Sequence, residues 1–326
     1  MIPFHALSRR QLCLAAFAAM SLATGAASAQ QAFPNRPIRI VIGFGTGGQA
    51  DILARLLAQK LAAQLKQAVI VDNKPGAGGN IATEMVAKAP PDGHTLLLVA
   101  SSLSVNPSLF KNVGYDPVKD LAPVISLATY PLYLVAPVSG ARSVAELIVQ
   151  AKAKPGAINY SSSGQGTSTH IAPEMFAAAA GVKLTHVPYK GGGHAVMAVT
   201  AGETQLHFGG SAVLPLVKSG KLQLLAVTTR KRHAGFPDVP TVGESVPGFE
   251  FSSWNGLFAP AGTPPAIVQR LNAEVAKALR QSDSVETLRT LDLDPALGSP
   301  EELGALVKTE AARWPKVIRD LGITAD

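Results

Sequence analysis

The sequence predicts an α/β fold, with parallel sheets covered by helices on both faces and shared between two domains. Three observations carry this. Short apolar runs alternate with helical patterns through the first two-thirds of the chain. Four of those runs enter glycine- or serine-rich turns that open helices, namely "GFGTGGQAD", "NKPGAGGN", "SSSGQGTSTH" and "YKGGGH". The length of 326 residues suits two domains at the usual ~100–200 residues each. Apolar residues make up 47% and charged residues only 16%, which supplies a core and argues against wholesale disorder.

In chain order, "MIPFHALSRRQ", the short apolar "LCLAAFAAMSLA" and the small-x-small "ASA" at 27–29 read as an export signal cleaved after Ala29. "SRRQL" also fits twin-arginine export, so the route stays open. Cleavage removes Arg9, Arg10 and the sole cysteine, Cys13, and lowers the formal charge from +7 to +5. "RRQL" is not a lipobox, and the mature chain has neither thiol nor disulfide. Its mild basic excess suits small anions, whereas no basic run with interleaved aromatics suggests nucleic acid.

"IRIVIGF" reads as a strand followed by a helix near 51–65, and "AVIVDN" as a strand followed by a helix near 81–89. "TLLLVA" is a third strand ending at Ser101 and Ser102. "AINYSS" leads to a helix near 169–180, "LTHVPY" to one near 194–201, and "LQLLAVTT" is a further buried strand. In the last third, Thr263 is read as an N-cap with Pro264 at the first helical position. Ser299 and Glu302 form a capping box, Pro315 is expected to kink the final helix, and Gly322 to end it. These helices are expected to return to the first domain, which makes it discontinuous, with crossings near 126–134 and 248–255.

Gly43, Gly45 and Gly48 spell G-x-G-x-x-G after a strand, and Asp72 ends the next strand near the ~20-residue offset of a ribose-binding acid. Export argues against a largely cytosolic dinucleotide, yet the same glycine turn and helix start serve any anion, a carboxylate included. Gly47 and Gly48 offer N–H groups to a carboxylate, or form an ordinary turn. Asp51 either caps its helix or accepts from a ligand amine. Thr46 and Gln49 offer side-chain hydrogen bonds, Phe44 a pocket wall, and Ser101 and Ser102 hydroxyls at a strand end. Ser163, Gln165, Gly166, Thr167 and Ser168 line the second helix start, against the plainer reading of local capping. Tyr189 reaches the cleft or sits at its rim, and Lys190 steers anions or is simply solvated. His170 and Glu174 share a helix face but are too few for a metal site. Ser161, Ser162, Ser163 and His170 raise a hydrolase, but no G-x-S-x-G elbow accompanies them.

A series of segments resembles the Bug-type extracytoplasmic receptors, the substrate-binding proteins of tripartite tricarboxylate transporters. They are "RIVIGFGTGGQADILARLLA", "VIVDNKPGAGGNIATEMVAKAPPDGHTLLL", "KPGAINYSSSGQGTSTHIAPEMF", "THVPYKGG", "VKSGKLQLLAVTTRKR", "FPDVPTVGES", "WNGLFAPAGTP" and "RLNAEVAKAL". The resemblance implies a type II periplasmic-binding-protein fold, with two lobes joined by two crossover strands. One lobe would comprise 30–128 with 253–326, the other 129–252. It implies a periplasmic, monomeric, non-catalytic receptor that needs no cofactor or metal. Such a receptor captures a di- or tricarboxylate, an amino-dicarboxylate or an aromatic acid and presents it to membrane permease subunits. The family's carboxylate loops correspond to 44–51, which adds Ala50, and to 162–170, which adds Ser162 and His170. The family's first loop usually reads Pro-Phe-Pro-x-Gly-Gly. Here it reads Gly43-Phe44-Gly45-Thr46-Gly47-Gly48, and the lost prolines are expected to loosen it. A sensor of the same fold feeding a signalling partner is the alternative, and an exported hydrolase or oxidoreductase a distant one.

Overall fold

The computed structural model describes residues 33–324. The export-signal reading and its cleavage site lie outside the described residues.

The first apolar runs become strands because they are apolar at nearly every position. β1 (Ile38–Ile42) and β3 (Thr95–Ala100) are buried almost throughout, as expected of strands covered on both faces. With β2 (Val69–Asn73), β4 (Leu121–Tyr130), β10 (Ser253–Pro260) and β11 (Asp294–Pro295) they form a six-stranded sheet in the order β11-β4-β10-β3-β1-β2. A second sheet combines β5 (Tyr133–Pro137), β6 (Asn159–Ser162), β7 (Thr185–Pro188), β8 (Leu206–Gly209) and β9 (Leu222–Val227) in the order β7-β6-β8-β5-β9.

The sheets are mixed, not wholly parallel. β1 pairs in parallel with β2 and β3, but β10 runs antiparallel to β3 and β4. β6 is parallel to β7 and β8, while β5 is antiparallel to β8 and β9. The cause is the crossing of the chain. A strand that enters a sheet from the other one starts at the edge where its neighbours end, so it must run back against them. β5 enters in this way directly after β4, and β10 on the return.

Helices α1 (Gln49–Leu65), α2 (Asn80–Ala87) and α3 (Ser102–Leu109) each start just beyond a strand end of the first sheet. In the second sheet α4 (Val144–Ala153) follows β5, while α5 (Ser168–Ala180) and α6 (Gly192–Ala201) follow β6 and β7. α3 has no counterpart in the sequence reading, since its "SLSVNPSL" carries serines and an internal Pro107. After α7 (Leu214–Lys218) and α8 (Val242–Ser245) come α9 (Pro265–Leu279), α10 (Ser282–Thr290) and α11 (Pro300–Leu321). α11 does return to the first sheet: Leu303 and Val307 share a core with Val41, Leu97, Val99, Trp254 and Phe258. A separate core holds Tyr133, Val135, Val196, Val199 and Val213 against the second sheet.

The Ser299–Glu302 capping box forms in both directions, at 3.2 and 2.8 Å. Gly322 ends α11 in the left-handed region, and the helix runs on through Pro315. The expected cap at Thr263 moves one residue on, to Pro264, because the Thr263 hydroxyl donates to the Pro260 carbonyl at 2.7 Å. Among the described residues no helix is long and apolar enough to cross a membrane.

Candidate functional site

The loop from β1 to α1 holds its shape through one buried carboxylate. Asp51 is 3% exposed. It accepts from the Gly47 amide at 2.9 Å, from Arg55 Nε at 3.0 Å and from Asn73 Nδ2 at 2.9 Å, and Asn73 also donates to the Phe44 carbonyl at 3.1 Å. Parallel pairing of Ile42 with Asn73 brings these groups together. Burial pushes the Asp51 carboxyl up, but Arg55, the Gly47 amide and Asn73 outweigh it and hold the group below its ordinary range. Asp51 is thus a brace within its own loop, and the Gly47 N–H is used by it. The loop that the lost prolines were expected to loosen is tied at Gly47, Phe44 and Asp51.

The glycine fingerprint has a steric explanation in which no nucleotide takes part. A Cβ on Gly43 would lie 2.4 Å from the Gly79 Cα, so backbone meets backbone where the first loop crosses the turn before α2. Among the described residues Gly45 faces nothing within 4 Å, so the requirement does not follow the G-x-G-x-x-G spacing. Asp72 is engaged by Lys74 at 3.1 Å and Arg39 at 3.6 Å.

The loop from β6 to α5 is wired differently. Ser163 donates its N–H to Thr169 Oγ1 at 2.8 Å, and Thr167 donates its hydroxyl to the Gly164 carbonyl at 2.7 Å. Beneath it the rings of Tyr160, His186 and His170 are stacked, with centroids 4.9 and 4.0 Å apart. The Gly166 N–H donates to His170 Nδ1 at 3.1 Å, which requires that nitrogen unprotonated. Ser162 Oγ lies 2.6 Å from His186 Nε2 and accepts from the Gly164 N–H at 3.1 Å. This serine–histidine pair is a brace: Ser162 is fully buried and the His186 ring is enclosed between two others. Glu174 accepts from the Tyr160 hydroxyl, which removes it from any pairing with His170.

Burial, reinforced by the neighbouring His186, lowers His170 to about 3, and burial lowers His186 to about 4. In the unfolded chain both rings return to ~6.5, so that state takes up protons first as the pH falls. The stability these neutral rings carry is complete above about pH 7 and is lost as pH drops toward 4. The urea midpoint is therefore expected to fall between pH 6.5 and 4.5, and to fall less steeply in His186→Phe, which stacks without titrating. Equal midpoints for the wild type at the two pH values would exclude this.

The two loops meet. A Cβ on Gly78 would lie 2.4 Å from the Gln165 carbonyl oxygen, and one on Gly166 would lie 2.1 Å from Asn106 Oδ1 and 3.0 Å from Phe110 Cε2. Asn106 is fixed by donating to the Gly78 carbonyl at 3.1 Å and to Asn80 Oδ1 at 2.8 Å. The starts of α2 and α3 on one side and of α5 on the other thus lie at strand edges that face each other. Each start carries N–H groups without intrahelical acceptors and a partial positive charge. Together with serine and threonine hydroxyls they can hold an anion without a cationic side chain.

Of the other sequence-predicted residues, Ser101 Oγ lies 2.8 Å from Ser253 Oγ, which donates to the Tyr130 hydroxyl at 3.0 Å. Ser102 is 1% exposed, with a hydroxyl that has no hydrogen-bond partner among the described residues. Gln49 Nε2 donates to the Leu291 carbonyl at 2.9 Å. Phe44, Gly48, Ala50 and Ser168 are half-buried along the loops and Thr46 is exposed. Two do not join the group: the Tyr189 hydroxyl turns to Glu203 at 3.3 Å, and His170 lies beneath its loop rather than on it. The sequence reading missed Asn106, Gly78 and Tyr130. Only the "NKPGAGGN" turn signalled any of them. Among the described residues no group of three or more potential ligands could hold a metal.

Comparison with known proteins bears on the family and the fold. A family model described as "Tripartite tricarboxylate transporter family receptor" matches residues 53–323. The chain is 37% identical over 295 residues to protein BugT of Bordetella pertussis, covering 89% of this chain and 90% of that one. It is 39% identical over 324 residues to a UPF0065 protein from the tcbD-tcbE intergenic region of Pseudomonas sp. strain P51, covering 98% and 96%. Among solved structures, R. palustris Rpa4515 with adipate superposes with a TM-score of 0.85 at 38% identity, over 90% of this chain and 99% of that one. MatC (Rpa3494) from Rhodopseudomonas palustris with bound malate gives 0.83 at 33% identity, over 88% and 100%.

Proposed function

The chain belongs to the tripartite tricarboxylate transporter receptor family, and on that premise we propose that it captures a small organic carboxylate between two lobes and hands it to a membrane permease. The observation that supports this is the face-to-face approach of the Gly78 turn, beside the start of α2, and the Gln165 turn, beside the start of α5. The relatives with adipate and with bound malate support the ligand class. The lobes are 30–128 with 253–326, and 129–252. The mature protein acts as a periplasmic monomer.

One end of the ligand rests on Gly48, Gln49 and Ala50, with Ser101 and Ser102 beside them and Phe44 and Thr46 at the rim. The other rests on Ser163, Gln165, Gly166, Thr167 and Ser168. Binding draws on charge-assisted hydrogen bonds of net ~1.5–3 kcal/mol each and on helix dipoles. The test is a melting screen of protein refolded free of carried ligand, against succinate, adipate, malate, citrate, aspartate and benzoate. A matching ligand at 100 times its Kd adds about 2.7 kcal/mol, which raises Tm by several degrees. A panel in which no carboxylate raises Tm would overturn the assignment.

A further inference from the structure

The turn between α10 and β11 contains one non-glycine residue in the left-handed region, Asp292, at φ +53. It ends α10 where glycine is the usual choice: the Asp292 N–H donates to the Arg289 carbonyl at 3.1 Å and the Leu293 N–H to the Leu288 carbonyl at 2.9 Å. An aspartate costs backbone energy here that a glycine would not, and its side chain shows what the residue does instead. Its carboxylate accepts from the Tyr133 hydroxyl and lies 2.8 Å from His233 Nε2. Tyr133 stands on β5 of the second sheet and His233 follows β9 of the same sheet, whereas Asp292 adjoins β11 of the first.

The socket is aromatic. Tyr133, His233 and Phe236 pack edge-on or tilted, with centroids 5.7–6.1 Å apart. The residue before Asp292 makes a second link. The Leu291 carbonyl accepts from Ser211 Oγ of the second sheet's side at 2.5 Å and from Gln49 Nε2 of the first at 2.9 Å. Gln49 is the first residue of α1, within the loop assigned to the ligand.

We propose that Asp292 is a positioning residue that pins the first lobe into an aromatic socket of the second, and so sets the angle at which the two ligand loops face each other. It touches no ligand and acts through Leu291 and Gln49. The inference rests on the two-lobed receptor reading. Its test has one arm that needs no ligand.

Small-angle scattering of unliganded Asp292→Gly, Asp292→Asn and Tyr133→Phe is compared with wild type, alongside calorimetric titration with adipate and with malate. The glycine variant relaxes the backbone while losing the side chain. It is expected to show a larger radius of gyration and an affinity lower by tenfold or more, mostly through faster dissociation. Asp292→Asn, which keeps an acceptor for Tyr133, is expected to fall between the two. Scattering profiles and affinities equal to wild type in all three variants would overturn the proposal, even if Tm falls. A wild type that binds no carboxylate, with the scattering shift still present, would count against the ligand assignment and leave the pin standing.

Discussion

Alanine at Gly166 is expected to lower ligand affinity about 100-fold while leaving the protein folded. The added methyl would sit 2.1 Å from Asn106 Oδ1, and Asn106 cannot step back without breaking its bonds to Gly78 and Asn80. Phe110 blocks the other side at 3.0 Å. The remaining escape is to part the loops. A cost of ~2.8 kcal/mol on the closed arrangement alone is a factor of about 100, because the apparent Kd scales inversely with the competent fraction. In the ligand-free protein the substitution costs only the left-handed penalty at φ +75, roughly 1–2 kcal/mol. Titration calorimetry and a melting curve on the same sample separate the two effects. An affinity within threefold of wild type would show that the loops do not meet in the bound state.

Asp51→Asn is expected to be the most damaging single-atom change in the first loop. The carboxylate accepts from three residues at once, and an amide must turn its NH2 toward Arg55 or Asn73, both of them donors. Leaving the partly buried Asn73 donor unmatched costs roughly 1–3 kcal/mol; Arg55 is half-exposed and screened and adds little. Because the folded carboxyl lies below its ordinary value, its contribution is present above the unfolded pKa of ~3.9 and is lost as pH falls through the folded one. The gap between wild-type and variant urea midpoints should therefore be constant from pH 8 to 5 and close below pH 4. Affinity should fall with stability, since the Gly47 amide loses its carboxylate acceptor and Asn73, which holds the Phe44 carbonyl, loses its own partner. A variant as stable as wild type at pH 7 would refute the brace.

The strand–turn–helix units were legible because they are local. "IRIVIGFGTGG" carries an apolar strand, a glycine turn and a helix start within a dozen residues, and the capping box at Ser299 is a four-residue signal. Strand direction was not legible. β10 and β5 are as fully buried as β3, and only the path of the chain between sheets makes them run backward. The helix after Ser101 was hidden by its serines and Pro107. Asp51 was ambiguous because its partner Asn73 arrives through strand pairing 22 residues on. Asp292 gave no signal because a helix end is sought at glycine, and Asn106 because its importance comes from a glycine on the opposite loop.

The contact of Gly43 with Gly79 also limits how such a receptor can change its cargo by mutation. Any side chain at 43 must push aside the backbone of the neighbouring turn, while one at 45 enters open space. Evolutionary drift in selectivity is therefore channelled into 44–46, on a scaffold whose foundation stays fixed, and a directed-evolution library aimed at new cargo is best spent there.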